Sequence, residues 1–171
     1  MIEIIIYANA GDDRVQIAGG ITLPVVAFGG TGNDRLKAGG GPSILVGGDG
    51  DATLLGGSGR DVLIGGRGAD LIGVNGADDI LIAGYTTFDG NLAALSLIWA
   101  EWTSSRSFAD RVANLSGTAT TGVNGPAVLR ATGSDRTAFD DQAVDQLTGD
   151  GGNDWFIFNI VGGAYVQGNR T

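Results

Sequence analysis

From Gly29 to Ile82 the chain divides into six consecutive nines with no insertion: GGTGNDRLK, AGGGPSILV, GGDGDATLL, GGSGRDVLI, GGRGADLIG and VNGADDILI. Glycine recurs at positions 1, 2 and 4, aspartate at position 6 and a large aliphatic residue at position 8. Nine residues cannot bury an apolar face alone, so such units must stack on one another. Positions 7 to 9 read as a short strand, in which side chains alternate, so position 8 faces inward and positions 7 and 9 outward. The inward column is Leu36, Leu45, Leu54, Leu63, Ile72 and Leu81, with no polar member. Glycines such as Gly30, Gly32, Gly57, Gly59, Gly66 and Gly68 let the backbone take positive φ and turn tightly, which gathers carbonyls and amides into a concavity.

The pattern G-G-x-G-x-D-x-U-x, with U a large aliphatic residue, resembles the RTX, or hemolysin-type, calcium-binding nonapeptide repeat. The resemblance implies a mostly β fold, a right-handed parallel β-roll or β-solenoid. In it two repeats complete one coil and a calcium sits between repeat n and repeat n+2. Calcium takes six to eight oxygens, so position 6 supplies charge while turn carbonyls fill the remaining places. One side of the coil then carries Asp34, Ala52 and Asp70, and the other Ser43, Asp61 and Asp79. Ala52 and Ser43 depart from the family pattern, and only Asp61 and Asp79 remain uninterrupted neighbours. Fewer or weaker sites are expected beside Ala52; Asp49 and Asp51 share its turn, at motif positions other than the usual ligand's.

The flanks extend the register. Ala8 to Gln16 fits loosely, with Asp13 at position 6, and Ile17 to Phe28 is a twelve-residue version with an enlarged turn around Gly19 to Pro24. Asp140 to Thr148 and Gly149 to Ile157 are two more nines, with Asp145 and Asp154 at position 6. The expected calcium residues are therefore Asp34, Asp61, Asp70 and Asp79, then Asp13, Asp145 and Asp154, with the six turn glycines named above. Asp145 is expected near Asp70, Asp154 near Asp79 and Asp13 near Asp34. Asp12, Asp78, Asp140, Asp141 and Asp150 read as solvated turn residues. Met1 to Tyr7 reads as a first strand and Phe158 to Val166 as the place of a last one.

Outward positions differ between the two sides. Repeats starting at 29, 47 and 65 show Arg35, Lys37, Thr53, Leu55, Leu71 and Gly73; those starting at 38, 56 and 74 show Ile44, Val46, Val62, Ile64, Ile80 and Ile82. A wholly aliphatic sheet face needs a cover. After Ile82 the period becomes helical: Leu92, Leu95, Ile98, Trp99 and Trp102 behind Asp89 as a cap, then Phe108, Val112 and Leu115 behind Ser107 and Asp110, ended by Gly117. This pair is expected to pack on the aliphatic sheet. The chain thus divides into a β-roll over 1–82, a helical insertion over 83–117, and an irregular segment returning to the roll over 118–171.

Net charge is −9, lysine occurs once, and cysteine and histidine are absent. That balance disfavours nucleic acid and anionic membrane surfaces and favours divalent cations. Disulfides, thiolate sites and histidine-based catalysis are excluded. No apolar run spans a membrane. Met1 to Tyr7 lacks the basic start and cleavage site of a signal peptide. The resemblance implies a secreted protein exported by type I secretion, or a fragment of a larger secreted one. The leading expectation is a non-catalytic module whose folding is coupled to Ca2+. The alternative is a self-assembling filament or adhesin subunit, contacting neighbouring modules of a longer chain or identical subunits head to tail. An enzyme acting on polysaccharide is less favoured, since the regular aspartates are accounted for by the turn motif.

Overall fold

The computed structural model describes residues 3–158 and 165–167. The strands are β1 (Ile4–Ala10), β2 (Arg14–Gln16), β3 (Val25–Thr31), β4 (Arg35–Lys37), β5 (Ser43–Asp49), β6 (Thr53–Leu55), β7 (Val62–Arg67), β8 (Leu71–Gly73) and β9 (Ile80–Ile82). An excursion follows with β10 (Tyr85–Thr86), helices α1 (Leu92–Trp102) and α2 (Phe108–Leu115) and β11 (Ala138–Phe139), before β12 (Gln146–Thr148), β13 (Trp155–Ile157) and β14 (Tyr165–Gln167). Alternate strands fall into two six-stranded parallel sheets, β1-β3-β5-β7-β9-β13 and β2-β4-β6-β8-β12-β14. The fold is a parallel β-solenoid with two helices.

Register confirms two repeats per coil. Leu36 pairs with Leu54 and Leu54 with Ile72, while Ile44 pairs with Val62 and Val62 with Ile80. After the excursion the count resumes without a slip, Ile72 meeting Leu147 and Leu81 meeting Phe156. The inward aliphatics form one dry core between the sheets, with Leu36, Leu54, Leu63, Ile72, Leu81 and Leu147 fully buried. In the twelve-residue repeat Ala27 takes the inward place and Val26 the outward one, so the extra residues are absorbed by the turn.

The two sheets differ in strand length. β4, β6 and β8 have three residues each, as the motif implies, but β3, β5 and β7 continue through the following glycine pair, and Gly30, Gly48 and Gly66 stay in ladder register.

Both helices lie on the aliphatic sheet. Val26, Ile44, Val46, Val62, Ile64, Ile80, Ile82 and Ile157 share a core with Leu95, Ile98, Trp102, Leu115, Ala127 and Leu129. Each such side chain, withdrawn from water, contributes about 1.5–3 kcal/mol. That is why an 11-residue and an 8-residue helix, too short to hold in isolation, are stable here. The other sheet leaves Arg14, Arg35 and Lys37 in solvent. Ser107 caps α2 as expected, accepting the Asp110 N–H at 3.2 Å, and Gly117 follows its end with φ 75°. Helix α1 is capped by Asn91, not Asp89: Asn91 Oδ1 accepts the Ala94 N–H, while Asp89 is turned back onto the Thr86 N–H and hydroxyl. Asp89 lies two residues before the capping position of α1.

Beyond Phe158 the last expected strand falls partly outside the described residues, but Tyr165–Gln167 is a strand and pairs parallel with β12. Met1 and Ile2 also lie outside them; the first strand runs from Ile4 to Ala10.

Candidate calcium-binding turns

Stacking the coils puts position 6 of alternate repeats into two columns. One holds Asp13, Asp34, Ala52, Asp70 and Asp145; the other holds Ser43, Asp61, Asp79 and Asp154. Most of these aspartates reach back to the coil before them, while Asp61 accepts the Gly57 N–H of its own turn at 2.7 Å. The Asp13 N–H donates to Asp34 Oδ1 (2.9 Å), Ala52 N–H to Asp70 (2.8 Å), Asp70 N–H to Asp145 (2.9 Å), Asp61 N–H to Asp79 (2.7 Å) and Asp79 N–H to Asp154 (3.1 Å). The three expected neighbourhoods, Asp145 with Asp70, Asp154 with Asp79 and Asp13 with Asp34, are formed.

This ladder occupies only one oxygen of most of these carboxylates. Oδ2 of Asp13, Asp34, Asp70, Asp79 and Asp145, and Oδ1 of Asp61, are buried without a hydrogen-bond partner. Asp34, Asp61, Asp70, Asp79 and Asp145 are each at most 2% exposed. A buried anionic oxygen left unpaired is costly, so such a group either takes a proton or faces a cation. Burial accordingly pushes the carboxyl of Asp61 up to about 7 and those of Asp70 and Asp79 to about 8. Asp145 rises to about 6 for the same reason, and Asp34 and Asp154 are also raised by burial.

The donor set fits a hard cation. The oxygens are carboxylates beside a glycine-rich main chain, and the sequence has no histidine or cysteine. Among the described residues no three carboxylates converge. Each site would therefore consist of one or two position-6 carboxylates completed by main-chain carbonyls, as calcium accepts. Bound there, the ion supplies the positive charge that the stacked carboxylates lack. At Ala52 the column has a methyl group instead, and Asp34 is separated from Asp70 by one coil. Ser43 is buried, with its hydroxyl turned to the Gly41 carbonyl at 3.3 Å.

The turn glycines divide by role. Gly66, like Gly30 and Gly32 in the first of these turns and Gly68 beside it, has a positive φ, here 108°. Gly57, on the opposite side, does not; there a Cβ would sit on the Gly39 carbonyl oxygen, and one on Gly59 would strike the Gly41–Pro42 backbone. The expectation of positive φ at all six thus holds for one column only, while close stacking of coils constrains both, a Cβ on Gly66 falling 2.0 Å from the Gly48 carbonyl oxygen. At position 1 the constraint is different again: a Cβ on Gly56 would lie 2.8 Å from the Asp61 carboxylate.

A second ladder runs the other way through position 5. Asp12 accepts the Asn33 N–H (2.7 Å), Asn33 Oδ1 the Asp51 N–H (2.8 Å), Asp51 the Ala69 N–H (2.8 Å) and Asp78 the Asn153 N–H (2.9 Å). Asp12 and Asp78 are therefore bound across coils and are not free turn residues. The recurring dipeptides Asp12-Asp13, Asn33-Asp34, Asp78-Asp79 and Asn153-Asp154 carried that signal. Asp78 also receives the helical pair: its carboxylate is ion-paired with buried Arg111, and its carbonyl accepts the Trp102 indole N–H at 2.8 Å.

A family model, RTX calcium-binding nonapeptide repeat, matches the chain in four copies over residues 28–59, 46–81 and 139–159. No curated protein and no solved structure shows a significant match. The matched segments hold every position-6 residue of the two columns except Asp13, and most of the excursion between them is unmatched. Residues 28–81 and 139–159 match the RTX calcium-binding nonapeptide repeat, a repeat class that binds Ca2+.

Proposed function

We propose that this chain is a secreted, non-catalytic structural module whose ordering is coupled to calcium. The observation that carries this reading is the buried, unpartnered carboxylate oxygen that recurs at position 6. Without a cation these groups must hold protons near neutral pH or repel one another, and the glycine-rich turns contribute little order of their own. Ion binding then becomes folding free energy. Extracellular calcium modules bind at about 10⁻⁴–10⁻³ M, so such sites fill outside a cell and stay empty in cytosol. Among the described residues no helix is long and apolar enough to cross a membrane.

Isothermal titration of calcium into ion-stripped protein, followed in parallel by far-UV circular dichroism, is the direct test. Cooperative uptake of several ions with gain of β signal is expected; absence of uptake would end the calcium reading. Ala52→Asp provides an internal check. It places a carboxylate over Gly47, where the other repeats carry one over their first glycine, and joins the two halves of its column. At least one additional bound ion is expected, and an unchanged stoichiometry would mean that this column is not the ion row.

A partner at the solenoid end is favoured by the first strand. The helices do not cover it: Tyr7 stacks on Phe28 at 4.9 Å yet is 58% exposed, and Ile5 is 40% exposed. An open edge of this kind pairs readily with another strand, supplied by a neighbouring module or by a second copy head to tail. Light scattering with and without calcium reads out the second copy, and a monomer under both conditions removes it.

A further inference from the structure

The solenoid is interrupted once and closed again. Every other coil step in the repeat array joins residues 18 or 21 apart, but the step onto the C-terminal coil joins Asp70 to Asp145 and Asp79 to Asp154, each 75 apart. By loop-closure statistics this contact is roughly eightfold less probable than one across 18 residues. The junction thus needs something the other steps do not. At this point the sequence changes: the repeat starting at Asp140 has Asp141 at position 2, where the corresponding repeats have Gly30, Gly48 and Gly66. The left-handed residue moves one place on, to Gln142 with φ 70°, which frees position 2 for a side chain.

Asp141 is placed on the site. Its Oδ2 accepts the Gly68 N–H of the preceding coil at 2.6 Å, two residues from Asp70, and its Oδ1 accepts the Ala143 N–H at 3.1 Å, two residues from Asp145. Asp70 and Asp145 each present a buried oxygen without a partner, at 2% and 1% exposure. The three do not converge on one point, so Asp141 acts through its charge and not as a direct ligand.

We propose that Asp141 is a positioning residue that strengthens calcium binding at the Asp70–Asp145 junction, offsetting the longer loop so that the C-terminal coil docks at the same calcium concentration as the rest of the solenoid. The proposal rests on the calcium reading above. It predicts that the junction is the step most sensitive to loss of a single nearby charge.

The test is amide hydrogen exchange across a calcium titration of the full chain, comparing wild type with Asp141→Asn and Asp141→Glu. In wild type, β12 and β13 should gain protection together with β4 to β8. In Asp141→Asn the midpoint for β12 and β13 should rise roughly tenfold, as removal of one close charge implies, while that for β4 to β8 stays in place; Asp141→Glu should restore much of the coupling. The displaced midpoint should shrink with added monovalent salt, which a purely structural cap on Gly68 would not produce. Coincident midpoints in Asp141→Asn would overturn the proposal, as would equal loss of protection with and without calcium. Wild type that gains no protection anywhere would instead overturn the calcium reading itself.

Discussion

Protein stripped of calcium is expected to unfold at pH 8 and to recover its β structure when acidified to about pH 5. The cause is the row of buried carboxyls. In the native state without ion, Asp61 titrates at about 7, Asp70 and Asp79 at about 8 and Asp145 at about 6, against 3.8 for an ordinary aspartate. Below pH 3.8 both native and unfolded chains hold these protons, and the contribution to stability is fully present. As pH rises, the unfolded chain ionises first, so native stability falls until the native groups ionise too, between about pH 6 and 8. Even at about 1–2 kcal/mol per carboxyl, well below what the full shifts would give, four such groups rival the roughly 5–15 kcal/mol that holds a domain folded. Relief of the net charge of −9 acts in the same direction.

Calcium reverses this slope, because proton and ion compete for the same oxygens and affinity rises with pH. Thermal melts of ion-stripped protein at pH 5, 6, 7 and 8, each repeated with calcium, check both halves. An ion-free melting temperature that climbs from pH 5 to pH 8 would contradict the account.

Trp102→Ala is expected to cost about 3–5 kcal/mol, as removal of a large buried aromatic does. Trp102 is fully buried, packs edge-on against Phe108 at 5.7 Å between ring centroids, and lies 6.3 Å from Trp155 of the C-terminal coil. Its indole N–H bonds the Asp78 carbonyl, and the Arg111 guanidinium sits 4.6 Å over its ring while pairing with the Asp78 carboxylate. One side chain therefore ties the helical pair, a calcium-repeat turn and the resumed coil together. The loss should appear in denaturant melts in saturating calcium, with a lower midpoint. Trp102→Phe, which keeps the ring but drops the donor, should recover most of it. A Trp102→Ala variant within 1 kcal/mol of wild type would show that the helices do not hold the aliphatic sheet.

The solenoid, its register and the membership of the two aspartate columns are legible in the amino-acid order alone. Those features are periodic: a nine-residue phase repeated six times fixes which side chain faces inward, and the alternating aliphatic and mixed outer positions named the sheet that would be covered. Even the resumption at Asp140 was legible, because Leu147 and Phe156 fall in phase with Ile72 and Leu81. What each coil does to the next emerges only when the coils are stacked. The position-5 ladder, with Asp12 and Asp78 bound across coils, depends on main-chain groups 21 and 75 residues away. Gly57 and Gly66 both lie against a carbonyl of the neighbouring coil, but only Gly66 also turns left-handed. The cap of α1 is Asn91 and not Asp89 because the Thr86 N–H and hydroxyl hold the Asp89 carboxylate. Periodicity specifies which face a residue shows; the partner it meets there is set by chain closure, which brings together residues that no local pattern relates.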